Sequence, residues 1–114
     1  MHEVRYSAEF NKEYVRLRLR ADKGGGEAKY IIECISRATA KIAKNIEAGK
    51  KIPRKQWPGE YARKYGITNL WKFNLDSSWR LIYTIEGDMA SLYAIYLEHM
   101  NHKEYCRKFG YRKG

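Results

Sequence analysis

His99, His102 and Tyr105 fall within one short segment that also holds Lys103 and Arg107, near the end of a 114-residue chain. Histidine is the side chain best suited to give and take protons near neutral pH. Phosphodiester cleavage in RNA has an internal nucleophile, the 2′-hydroxyl, so it asks a protein for a proton acceptor, a proton donor and cations around the phosphorus. Lysine and arginine supply that charge, which is usually the largest catalytic contribution. An aromatic ring such as Tyr105 or Tyr111 can stack an unpaired base. Arg80, next to Trp79, is the best-placed isolated positive charge elsewhere in the chain. The plain alternative is that both histidines are surface residues at a strand end. A metal site is a third reading, but His-x-x-His followed by Cys106 is not an established zinc spacing and no second ligand pair exists.

These residues need elements to position them. Val4 and Tyr6 alternate with Glu3 and Arg5, which predicts a short first strand. Ser7 reads as the N-cap of a first helix through Phe10, Tyr14 and Leu17, although Val15 to Arg20 also alternates as a strand would. Gly24-Gly25-Gly26 ends it. Ile31, Ile35, Ala38, Ile42 and Ile46 form one apolar stripe at steps of three and four, predicting a second helix from Glu27 that stops near Gly49. Such a helical hairpin needs an apolar sheet to cover its inner face. Residues 50 to 66, basic and broken by Pro53 and Pro58, read as a loop with a turn of helix over Glu60 to Lys64. Three strands follow, Thr68 to Leu75, Trp79 to Ile85 and Met89 to Leu97, with turns at Asp76-Ser77-Ser78 and Gly87-Asp88. Alternation places Trp71, Phe73 and Leu75 on one face, opposite Lys72 and Asn74, and sets Arg80 and Ile82 opposite Leu81 and Tyr83. In the last strand it groups Tyr93, Ile95, Leu97 and His99 against Leu92, Ala94, Tyr96 and Glu98. The face that meets the helices stays open.

The chain carries 23 Lys and Arg against 13 Asp and Glu, a formal net charge of +10, which favours a polyanionic partner. Residues 50–64, with Lys50, Lys51, Arg54, Lys55, Arg63 and Lys64, hold a net +5, and residues 99–114, with Lys103, Arg107, Lys108, Arg112 and Lys113, a net +4. Basicity is therefore local, although two solvated charged loops would give the same totals. Cys34 and Cys106 are the only cysteines and have neither disulfide-framework nor metal-type spacing, and Cys34 beside the apolar stripe reads as a packed thiol. The first residues form no signal peptide and no segment is long enough to cross a membrane, so the expectation is one cytoplasmic domain over 1–114.

Three stretches carry a more specific signal: Asn69 to Leu75, Trp79-Arg80-Leu81-Ile82-Tyr83, and His99 to Tyr105. Together with the element order, they resemble the RelE/ParE toxin superfamily of type II toxin–antitoxin systems, over nearly the whole chain. The resemblance implies an α+β fold, an N-terminal strand and helical hairpin packed on a mostly antiparallel four-stranded sheet, with a short C-terminal helix or tail. On the RelE side it implies a ribosome-dependent endoribonuclease that cuts messenger RNA in the aminoacyl site, with no cofactor and a cognate antitoxin as partner. Arg80 matches the arginine that contacts the scissile phosphate, Lys72 falls near a basic position of the preceding strand, and Tyr105 matches a C-terminal stacking aromatic. Asn74 stands where some members have a second lysine, which moves proton transfer to His99 or His102, with Glu98 as an alternative base. Lys50, Lys51, Arg54, Lys55, Arg63 and Lys64, with Lys103, Arg107 and Tyr111, would bind RNA. The rivals are a ParE-like inhibitor of DNA gyrase and a non-catalytic RNA- or ribosome-binding module.

Overall fold

The computed structural model describes residues 1–110, so Tyr111, Arg112 and Lys113 lie outside the described residues. Strand β1 (Glu3–Tyr6) leads into helices α1 (Ala8–Asp22) and α2 (Gly26–Lys44). The Ser7 hydroxyl accepts from the Phe10 amide at 3.0 Å, the predicted N-cap, and helix wins over the alternating Val15 to Arg20 because Leu17 and Ala21 are then buried with Phe10. Beyond α2 the chain forms β2 (Lys50–Lys51), a 3-10 turn (Arg54–Gln56) and α3 (Tyr61–Tyr65). Strands β3 (Trp71–Asn74), β4 (Trp79–Asp88) and β5 (Ser91–Asn101) follow, and α4 (His102–Lys108) closes the described chain.

The sheet runs β1-β5-β4-β3-β2, antiparallel except that β1 pairs parallel with β5. It has five strands where four are predicted, because Lys50 and Lys51 pair with Lys72 and Trp71. Gly49 makes that approach possible: a β-carbon there would stand 2.4 Å from the Lys72 carbonyl oxygen. The glycine expected to stop α2 is thus a packing residue, and the helix ends earlier, at Lys44. The β4–β5 turn also differs from prediction. Gly87 and Asp88 extend β4, Asp88 pairs with Ser91, and the reversal falls on Met89 and Ala90.

One face of the sheet lies under the helical hairpin. Phe10, Leu17, Ile31, Ile35, Ala38 and Ile42 pack there on Leu81, Tyr83, Ala94 and Tyr96, with Trp71, Phe73 and Leu75 at the margin. The other face is covered by the 52–70 segment and α4, through Ile52, Tyr61, Ile67, Leu70, Ile82, Leu97, Met100, Tyr105 and Phe109. A bulge corrects the alternation expected for the last strand. Ile82 faces Glu98 but Tyr83 faces Tyr96, which leaves Leu97 as an extra residue and reverses every side chain beyond it. His99 therefore pairs with Leu81 on the face under the hairpin, while Glu98 joins Leu97 on the opposite face.

Candidate functional site

The turn between β3 and β4 organises the site. Asp76 accepts from the Ser78 and Trp79 amides at 2.8 and 2.7 Å through one carboxylate oxygen, and from the Tyr30 hydroxyl of α2 at 2.6 Å through the other. Asp76 is held below the usual carboxylate range, first by Tyr30 and then by the two amides. The carbonyls this turn exposes receive the next cation. Arg80, only 8% exposed, donates from Nη1 to the carbonyls of Asp76, Ser77 and Trp79 at 3.1 to 3.3 Å. The remaining carbonyl, Ser78, accepts from the His102 amide at 2.6 Å and so docks the start of α4. Nη2 of Arg80 lies 2.8 Å from Nδ1 of His102. Guanidinium has no acceptor, so Nδ1 must accept, and the hydrogen of the neutral ring sits on Nε2.

Lys72 lies on the same face. It pairs across β3–β4 with Ile82 and across β2–β3 with Lys50, while Asn74 pairs with Arg80. Its ammonium stands over the Tyr105 ring, 4.9 Å from the centroid. Burial lowers its pKa from the ordinary 10.5, and the charges of Arg80 and Lys50 lower it further. Lys41, Gly49, Lys50, Lys72 and Asn74 line an open groove of about 550 Å³ that leads to this point. A groove with three lysines and no carboxylate in its lining suits a phosphate chain.

The other predicted residues separate. Tyr105 is 4% exposed and stacks on Phe109 at 4.7 Å, so it is a core ring that supports Lys72 and does not meet a base. His99 is on the far face, edge-on to Phe10 and beside Trp79, both at 6.1 Å, and its Nδ1 is buried with no hydrogen-bond partner among the described residues. Burial lowers its pKa. The bulge thus removes His99 from the Arg80 cluster and leaves His102 there. Glu98 is engaged by Tyr61 and, at 3.0 Å, by Lys108, with burial raising its pKa.

Of the basic residues, Lys50 lines the groove and Lys51 pairs with Trp71. Arg54 lies over the Trp57 ring at 4.7 Å, and Lys55 and Arg63 are exposed. Lys64 lines a different cleft, between α1 and the end of β5, with Glu9, Glu98 and Lys108. Lys103 is exposed and Arg107 is paired with Glu104. Asp76 and Tyr30 organise the site, and sequence reasoning assigns neither a role in it. The sequence marks Asp76 as a turn residue alone, and the four-residue step from His102 to Cys106 is a helical signal, with Sγ 3.5 Å from Nε2.

No family model matches this sequence. No curated protein matches it either. Among solved structures the chain is similar to the YoeB/ParE toxin from Agrobacterium tumefaciens, with a TM-score of 0.56 and 14% identity, covering 88% of this chain and 98% of that one. The likeness establishes the α+β fold expected from the sequence. Among the described residues no helix is long and apolar enough to cross a membrane.

Proposed function

We propose that this chain is the toxin of a toxin–antitoxin pair, an endoribonuclease that enters the ribosome and cleaves messenger RNA in the aminoacyl site, held inactive by a cognate antitoxin. The observation that carries this reading is the gathering of Lys72, Arg80 and His102 on one face at the end of a lysine-lined groove. The fold shared with the YoeB/ParE toxin supports it.

The chemistry follows from the three side chains. Lys72, biased toward its neutral form, accepts the 2′-hydroxyl proton as that oxygen attacks the neighbouring phosphorus. Arg80 and Lys50 supply positive charge as the phosphorane forms. His102, oriented by its Nδ1 contact with Arg80, directs its neutral Nε2–H at the departing 5′-oxygen as charge develops there, and that oxygen takes its proton from water, which the protonated Lys72 restores. A 2′,3′-cyclic phosphate and a 5′-hydroxyl result. The Lys50 to Lys64 segment grips RNA electrostatically.

Primer extension on programmed ribosomes, comparing wild type with Lys72→Ala and His102→Gln, tests this. Cuts confined to the aminoacyl site and lost in both variants are expected; unchanged cutting in both variants sinks the residue assignment. The burial of Tyr105, which removes a base-stacking ring, favours one rival, a ParE-like gyrase inhibitor. For that rival, DNA supercoiling fails while messenger RNA stays whole.

A further inference from the structure

The burial of Tyr105 leaves base stacking without its predicted ring, and a second aromatic site lies just beyond the groove. Lys50 and Lys51 are neighbours on the edge strand β2; Lys50 lines the groove, and Lys51 lines a separate cleft of about 420 Å³. Ile52, Pro53, Trp57 and Thr68 wall this cleft together with Arg54, and its lining holds no carboxylate. The 3-10 turn Arg54–Gln56 builds the site. At three residues per turn, positions i and i+3 stand one above the other, which sets the Arg54 guanidinium over the Trp57 ring, 4.7 Å from its centroid. The indole is fixed beneath it: Nε1 donates to the Ile52 carbonyl at 3.0 Å, and the ring packs against the core to which Ile52 and Leu70 belong. Arg54 itself is exposed and, among the described residues, forms no ion pair. The face of the guanidinium turned away from the indole is therefore open to solvent.

We propose that the Arg54 guanidinium, backed by the Trp57 indole, is a stacking platform for one unpaired base of a single-stranded RNA whose phosphates run past Lys50 and Lys51. Guanidinium planes and aromatic rings both stack bases, and such stacking tolerates any sequence because every base has a π-face. Thr68, exposed at the rim, carries a hydroxyl that can donate to or accept from a base edge, so it discriminates little. A role in charge alone would ask for no ring beneath the arginine. The platform deepens the reading of the groove as an RNA site and rests on it; the pairing of Arg54 with Trp57 does not.

The test titrates the full chain with a short single-stranded RNA and with an abasic strand of the same length and charge. Because the indole belongs to the core, the variant is made at the exposed arginine. Wild type holds the RNA about tenfold more tightly than the abasic strand. Arg54→Lys, which keeps the charge and loses the plane, cuts that advantage to about twofold, binds the abasic strand as wild type does and keeps the salt slope. An equal loss on both strands makes Arg54 a phosphate contact and overturns the platform, as does no loss on either. Wild type that binds neither strand overturns it too. Aminoacyl-site cutting by wild type is followed in parallel. Base-dependent binding that needs Arg54, without cutting, upholds the platform and sinks the nuclease reading; cutting with binding that ignores the bases does the reverse.

Discussion

Lys72 and His99 divide the chemistry of the residue scale between them. Lys72 sits where burial, Arg80 and Lys50 all lower its pKa, so a growing fraction is neutral as pH rises toward 10.5. Cleavage is expected to climb with pH through that lowered pKa, and Lys72→Arg, which stays charged, should lose the alkaline rise and about 10²–10⁴ in rate while still binding RNA. A pH–rate profile of the two proteins checks this. His99 behaves in the opposite sense, as a structural group. Its pKa is lowered in the folded chain, so the folded state prefers the neutral ring. The stability that this preference supplies is complete above the ordinary 6.5 and is lost as pH falls through the lower folded value. His99→Phe, matched to the ring packing with Phe10, should flatten the melting temperature against pH between 7 and about 5 and leave cleavage intact. Loss of cleavage in His99→Phe would return this histidine to the site.

At the scale of elements, the β3–β4 turn does more than reverse the chain. Its carbonyls fasten Arg80 and the start of α4, and Tyr30 ties its Asp76 to α2. Tyr30→Phe removes that tie without touching the groove, so cleavage should fall while RNA binding stays near wild type, as measured by single-turnover kinetics beside a binding titration. β2 is held against β3 only because residue 49 lacks a side chain. Gly49→Ala forces a β-carbon onto the Lys72 carbonyl and the Tyr83 ring, which should cost about 1–3 kcal/mol in chemical denaturation and displace Lys50 from Lys72.

For the whole molecule, a net charge of +10 governs how strongly any polyanion is held. Its distribution governs where. Charges with carboxylate partners, Arg107 with Glu104 and Lys108 with Glu98, are partly spent inside the protein. Those of Lys41 and Lys50 line an open groove with no carboxylate in its lining. Lys41→Ala and Lys50→Ala should each lower the slope of log affinity against log salt for single-stranded RNA by about 0.7, and Arg107→Ala by less. Equal effects from all three would mean that RNA spreads over the surface and does not follow the groove.

Local signals in the chain were enough for much of this architecture. The Ser7 cap, the isoleucine stripe of α2, the Asp76-Ser77-Ser78 turn and the alternation of Trp71, Phe73 and Leu75 are each set by neighbours within a few residues, so helical hairpin and meander are legible, whereas the shared face of Lys72 and Arg80 follows from the β3–β4 register. The pairing of β2, the bulge at Leu97 and the burial of Tyr105 depend on partners far along the chain, and no local pattern encodes them. His99 and His102 look equivalent in the sequence, three residues apart in one basic segment. The tertiary structure separates them, because one extra residue opposite Ile82 and Tyr83 turns His99 under the hairpin while α4 brings His102 to Arg80.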